Sequence, residues 1–346
     1  MRSRRLQQNT LRLEKIKMYD IYGIGNAIVD VDVTVDEDFL QAQELPKGQM
    51  TLADSARISA LLEALGDKPM NRSSGGSAAN TIFAATGFGL TTGYACRLAD
   101  DLNGNYFSDE MSEANIHASA IDTESGESSG QCLVMITDDA QRTMCTDLGI
   151  SSNVTMNEVD QAGLSQAKML YIEGYLSSSP TSSASAIKCH EIAREKGIQT
   201  AITLSDVAMV SFFRDSLTSI IGNGVNVLFC NAEEALSWAQ TDRLDIAINE
   251  LKDIAPELYI TLGSDGAQVV TQSGSINVSG LSVNPIDTNG AGDIYAGACL
   301  AARSQGANPQ DAAKFANHAA AHLIQSYGAR LTSIQAYVDL KASFVN

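Results

Sequence analysis

The run Ile286-Asp287-Thr288-Asn289-Gly290-Ala291-Gly292-Asp293 combines the residue types and spacing best suited to chemistry. Gly290, Ala291 and Gly292 let the backbone turn tightly and let a ligand approach the amides closely. The helical stretch Ile294 to Arg303 follows at once, so the amides of 290–293 are expected to face outward from a helix N-terminus. Such a terminus, with its dipole, attracts phosphate. Asp293 falls in the first turn, where a carboxylate suits the dipole and can accept a proton from an incoming hydroxyl. A plain loop-to-helix junction with Asp287 capping the turn would explain a bare Gly-Ala-Gly-Asp. The complete eight residues favour the functional reading.

Other suggestive patterns fail on context. Gly23-Ile24-Gly25 follows a strand, but the third glycine of a dinucleotide turn is replaced by Ile28. Gly126-Glu127-Ser128-Ser129-Gly130 matches a nucleophile elbow in letters, yet strand-like QCLVMIT follows it where a helix is required. It reads as a hairpin loop. His190-Glu191 has Arg194 where a zinc protease needs its second histidine, and the four histidines lack metal spacing. No P-loop occurs.

The elements that must position Asp293 show in the change of hydrophobic period. Tyr19 to Asn26 reads as a first strand ending in a Gly-rich turn, and Val31 to Val35 as a half-exposed alternating strand. Helix patterns cover Ala53–Leu65, Gly75 through Ala85, and Asn103–Ala114; alternating strands follow from Ile116 to Cys145. Beyond Gly149, apolar strands at 168–172, 199–204, 226–230 and 257–262 alternate with helices near 181–196, 208–222, 232–240 and 244–254. Strand-like Ser275–Val283 precedes two last helices near 291–304 and 309–326. This rhythm predicts an α/β fold, a doubly wound, mostly parallel sheet flanked by helices. A small β-rich lid is expected from about 31–54 and 114–147, within one domain spanning 18–346.

Composition narrows the partners. Of 346 residues, 44% are hydrophobic, enough for a sizeable core, and no apolar run is long enough for a membrane span. Lys and Arg number 23 against 41 Asp and Glu, a formal charge of −18. Residues 1–17 hold six bases and one acid, leaving −23 on 18–346. This basic leader lacks the apolar core of a signal peptide and is read as lying outside the fold. An acidic surface repels nucleic acid and anionic lipid, so the expected partner is a small molecule. Six dispersed cysteines without a C-x-x-C pair suggest buried reduced thiols and a cytoplasmic location.

The segment Asp287 to Asp293 resembles the C-terminal signature of the ribokinase-like (PfkB) carbohydrate and nucleoside kinases, and further landmarks follow the family order over nearly all of 19–335. Asn26 and Asp30 resemble the strand that holds substrate hydroxyls, and Gly75-Gly76-Ser77-Ala78-Ala79-Asn80 resembles the first signature, where Gly75, Gly76 and Asn80 approach the sugar. Asn231-Ala232-Glu233-Glu234 is similar to the element associated with Mg²⁺ and phosphate. Thr261, Gly263 and Gly266 are similar to the nucleotide-side turn, and Asn317 and Ala320 to the wall near adenine. Each alone has a plainer reading: Asn231 and Glu234 are also a good capping pair, and Gly263 to Gly266 an ordinary hairpin.

The resemblance implies ATP and Mg²⁺, with Asp293 as catalytic base, Gly290, Ala291 and Gly292 cradling the transferred phosphate, and Glu234 holding Mg²⁺ through water. It also implies a monovalent cation, K⁺, near Asp287. Arg142, near the lid's end, is a candidate for the phosphate and equally an ordinary surface arginine. Gly25 to Asp30, Arg142 to Gly149, Tyr171 to Leu176 and Leu204-Ser205-Asp206 look most like the adenosine kinase branch; Val207-Ala208-Met209 departs from its usual aromatic and cysteine. The expected reaction is therefore transfer of the γ-phosphate of ATP to the primary hydroxyl of a ribonucleoside, adenosine foremost, by a monomer or homodimer. The alternatives are a ribokinase- or fructokinase-type sugar kinase and, in another class, a non-catalytic nucleoside or sugar sensor.

Overall fold

Strand residues buried on both faces organise the chain. A computed structural model describes residues 18–124, 126–139 and 141–344; the basic leader at 1–17 lies outside them. Among the described residues, nine strands form a sheet in the order Gly274–Val278, Ala267–Thr271, Glu257–Thr261, Val227–Asn231, Gln199–Thr203, Met169–Glu173, Ile21–Ile24, Thr92–Ala95, His117–Ala118. From Glu257–Thr261 onward the neighbours pair in parallel; the first two strands add antiparallel pairing.

Side chains alternate across this sheet with the strand period of two. Leu170, Ile172, Ile202, Leu228 and Ile260 enter one core cluster, against the helices Pro180–Lys196, Arg214–Ile221 and Leu244–Lys252. Tyr171, Ala201, Phe229 and Tyr259 enter the other, against Ser77–Gly87, Ala291–Ser304 and Pro309–Leu323. Full burial of one large apolar side chain stabilises by about 1.5–3 kcal/mol, so both layers are held firmly. All six cysteines are free and buried. No helix among the described residues is long and apolar enough to cross a membrane.

A second sheet, five-stranded among the described residues, runs Met50–Leu52, Arg142–Asp147, Gly130–Ile136, Ile28–Thr34, Met70–Gly75. Val29, Val31 and Val33 face its own core with Leu40, Ile58 and Leu61, while Ile28, Asp30 and Asp32 turn to the opposite side. The structure corrects the expected lid at two places. Met70–Gly75 is a lid strand, paired antiparallel with Ile28–Thr34; its polar sequence MNRSSG hides the strand. His117–Ala118, within the expected lid range, instead pairs with Thr92–Ala95 in the large sheet. The helix expected over 208–222 is two, Val207–Phe212 and Arg214–Ile221, broken at Phe213. A further helix, Ile334–Ser343, follows the two expected to be last. Gly130 begins a strand, so Ser128 has no following helix and no nucleophile geometry.

Candidate functional site

The last residues of four parallel strands, Glu173, Thr203, Asn231 and Thr261, line one cavity of about 710 Å³. Ligands of doubly wound sheets bind at these carboxyl ends, where loops diverge and backbone groups are free. The lid sheet forms the opposite wall with Ile28, Asp30, Met50, Leu52, Val134 and Met144. The floor is the 288–293 loop and the start of its helix.

Gly290 is the N-cap of the helix Ala291–Ser304 and has φ of +73°. A Cβ there would lie 2.4 Å from the carbonyl oxygen of Ala329, so only glycine permits both the turn and the close approach. With no capping side chain, the first-turn amides of Gly292 and Asp293 have no partner within the helix. Gly292 faces open space: a Cβ added there would meet nothing within 4 Å. The N–H of Ala291 donates to Thr288 O at 3.3 Å. This open terminus suits a phosphate.

Asp293 stands beside these amides. Its Oδ1 accepts from Ser77 Oγ at 2.7 Å and its Oδ2 from Asn80 Nδ2 at 2.9 Å. Gly76 (φ +94°) caps the helix that carries both donors, packed so closely on Asn26 that a Cβ would lie 2.4 Å from its carbonyl oxygen. Burial pushes the Asp293 carboxyl up to about 6, opposed by the bonds from Asn80 and Ser77 and by the positive charge of Arg330. Asp30 is pushed up to about 7 by burial and by Asp32, with Arg330 and Arg142 acting in the other direction. Asn26 is buried and lines the cavity, and its Oδ1 has no hydrogen-bond partner.

Most residues expected at the site converge there. Asn26, Asp30, Gly76, Asn80, Arg142, Asn231, Glu234, Thr261, Gly290, Ala291, Gly292 and Asp293 all line the cavity. Gly75 is behind the wall, where a Cβ would lie 3.1 Å from Asp30 Oδ2. Gly263, Gly266 and Asn317 are not part of the wall. Gly263 and Gly266 shape the tight turn between antiparallel strands, and Asn317 Nδ2 donates to the carbonyls of Val278 and Ser279. The carboxylate of Asp287, the residue expected near a monovalent cation, accepts from Asn289 N–H at 3.0 Å and Gly328 N–H at 2.9 Å and pairs with Arg142 Nη1 at 3.0 Å. That ion pair joins lid to floor.

Glu234 is the third residue of a capping box with Asn231, each side chain accepting from the other's backbone N–H. Its carboxyl is pushed up to about 7, by burial first. Among the described residues no three His, Cys, Asp or Glu side chains cluster to hold a metal directly. Glu234 lines the cavity, and a lone carboxylate is a fitting partner for Mg²⁺, which keeps several waters and binds mainly through substrate phosphates. Three residues at or beside the cavity take roles that the motifs do not assign. Ser77 holds Asp293. Glu173, fully buried, accepts from the N–H groups of Asn26 and Ala78 at 2.8 and 2.7 Å. Arg330 donates to Asn80. Their partners lie 95 to 250 residues away, beyond any local pattern.

The family of pfkB carbohydrate kinases matches residues 64–336. The crystal structure of adenosine kinase from Sinorhizobium meliloti superposes with a TM-score of 0.84 and 30% identity, covering 94% of this chain and 100% of that one. A probable sugar kinase from Rhizobium etli CFN 42 superposes with a TM-score of 0.82 and 28% identity, over 94% of this chain and 98% of that one. The adenosine kinase of Schizosaccharomyces pombe is 24% identical, over 83% of this chain and 89% of its own length.

Proposed function

The chain belongs to the PfkB family of carbohydrate kinases and is a phosphotransferase with an alcohol group as acceptor; we propose that it phosphorylates the primary hydroxyl of a ribonucleoside, adenosine foremost, with ATP. One observation carries the chemistry: a carboxylate held by two donors, Ser77 and Asn80, beside an uncapped helix start. Phosphoryl transfer needs mainly positioning and charge stabilisation, and this arrangement supplies both. The acceptor hydroxyl hydrogen-bonds Asp293. As its oxygen bonds to the γ-phosphorus, the bond from phosphorus to the β,γ-bridging oxygen breaks, the proton passes to the Asp293 carboxylate, and ADP leaves. The amides of Gly292 and Asp293 receive charge on the phosphoryl oxygens. Mg²⁺, near Glu234, would neutralise the polyphosphate.

The acceptor's ring hydroxyls are donors, and the orphaned Oδ1 of Asn26 and the Asp30 carboxylate are acceptors lining the same cavity. The lid supports a nucleoside over a free sugar. Met50 and Leu52 remain 55% and 66% exposed, on one face of the same strand, and line the cavity with Ile28, Val134 and Met144. Such an apolar face fits an aromatic base and offers a free sugar nothing. A coupled ADP-release assay over nucleosides and sugars tests the reading. Adenosine is expected to give the highest kcat/KM; turnover of ribose or fructose with no nucleoside turnover would overturn it in favour of a sugar kinase.

A further inference from the structure

We propose, resting on the kinase reading above, that Arg330 is a positioning residue that fixes the amide of Asn80 and thereby holds Asp293 as a proton acceptor. Arg330 follows Gly328 and Ala329, which line the cavity, but its own side chain is buried behind the wall, 9% exposed. Its guanidinium lies 4.7 Å over the Phe83 ring, and its Nε donates to Asn80 Oδ1 at 2.7 Å. The Nη1 and Nη2 groups make no hydrogen bond, with Glu110 Oε2 at 3.8 Å from Nη1. Burying a guanidinium with unmet donors carries a desolvation cost that packing alone does not explain.

The chemistry of the chain of contacts has one direction. Arginine only donates, so the Asn80 atom facing it must be the carbonyl oxygen. The amide nitrogen is then left facing Asp293, at 2.9 Å. An N–H donor at that place requires a lone pair on Asp293, which favours the ionised carboxyl. Without Arg330 the amide can turn over and offer its oxygen instead, a partner that suits the protonated acid. Glu110 steadies the other end, accepting from Ser74 N–H at 3.0 Å just before the Gly75-Gly76 turn.

Other charged and titratable groups face this chain. Around Asp293 stand Glu173, Glu234, Tyr171, Tyr175 and Tyr337, and the tyrosines are held neutral by burial. Around Arg330 stand Glu110, Asp30, Tyr94, Tyr106 and Tyr337. Glu110 opposes Arg330, whereas Glu173 and Glu234 raise the cost of charge on Asp293.

Infrared difference titration of the full-length protein reads the protonation of Asp293 directly, its band assigned by loss in Asp293→Asn. Arg330→Met is expected to move that titration up by about one pH unit, and Arg330→Lys, which keeps charge and donor, to restore most of it. Glu110→Gln leaves Arg330 unopposed and is expected to move it down by about half a unit. The acid limb of kcat/KM should follow in each variant. An Asp293 titration unmoved by both Arg330→Met and Glu110→Gln overturns the proposal, as does a shift of both in the same direction. Should Arg330→Met fail to fold, Arg330→Gln takes its place, and in either case the shift is expected to disappear in an Asn80→Ala background; a shift of the same size there would be the field of the charge alone and overturns the positioning role. The infrared titration needs no turnover, so shifts in a protein that phosphorylates no acceptor would sink the kinase reading and leave the positioning role standing.

Discussion

Replacing Asp293 by Asn separates catalysis from binding and from stability. The carboxyl titrates at about 6, so at pH 7.5 it is ionised and able to take the hydroxyl proton. Asn is nearly isosteric but has no basic oxygen, and loss of a general base typically lowers kcat by about 10²–10⁴. Nucleotide affinity should be kept or tightened, because a carboxylate beside the phosphate site repels the ligand. Stability should change in the opposite sense to activity. The rise from 3.8 to about 6 means that holding the charge in the fold costs about 3 kcal/mol above pH 6. That cost is relieved as pH falls through 6 towards the ordinary carboxylate value. Asn removes the cost and can keep both bonds, its Oδ1 accepting from Asn80 Nδ2 and its Nδ2 donating to the Ser77 hydroxyl oxygen. The net gain at pH 7.5 is therefore expected to approach about 3 kcal/mol, and the wild type should recover relative to the variant between pH 6 and 4. Single-turnover kinetics, equilibrium ATP binding and urea unfolding at several pH values measure the three quantities. Wild-type kcat in the variant would refute the base assignment. Parallel loss of ATP binding would show that Asp293 serves the nucleotide.

Three further outcomes follow from the geometry. Gly290→Ala must hold φ of +73° and a Cβ 2.4 Å from Ala329 O, so a loss of at least about 2 kcal/mol in urea unfolding and a sharp fall in activity are expected. Arg142→Ala breaks the 3.0 Å pair with Asp287 and removes a cation from the cavity wall; kcat should fall by about 10²-fold with little change in acceptor affinity, checked by rapid-quench assays. The double substitution Met50→Ser and Leu52→Ser strips the apolar lid face and should raise the KM for adenosine by about tenfold or more, with residual turnover of a free sugar unchanged. Equal losses for both substrates would remove the lid from base recognition.

Much of the fold is legible in the sequence because burial on both faces imposes continuous apolar strands. Met169–Glu173, Val227–Asn231 and Glu257–Thr261 fall where the pattern puts them. Met70–Gly75 escapes that pattern because a polar lid strand lacks the signal, and its pairing with Ile28–Thr34 supplies what its own sequence does not. His117–Ala118 joins the unexpected sheet for a related reason: two residues cannot show which sheet they will join.

At the site, local chemistry is readable and long-range partnership is not. Glycines at 290 and 292, a following helix and Asp293 in its first turn lie within a few residues, so chain geometry alone ties them together. The same holds for Asn231 and Glu234, whose capping box spans three positions. Side-chain identity could not reveal that Asp287 spends its carboxylate on Arg142 and two backbone N–H groups. Nor could it show that Asn80, 213 residues before Asp293, is held by an arginine 250 residues after it. The sequence by itself determined the apolar strands of the large sheet, the glycine turn at 290–292 and the acid that follows it, because each rests on local backbone preference and burial period. Only the packing of the 77–87 and 291–304 helices on one sheet face, with the lid sheet across from them, decided which donors surround that acid and how readily it ionises.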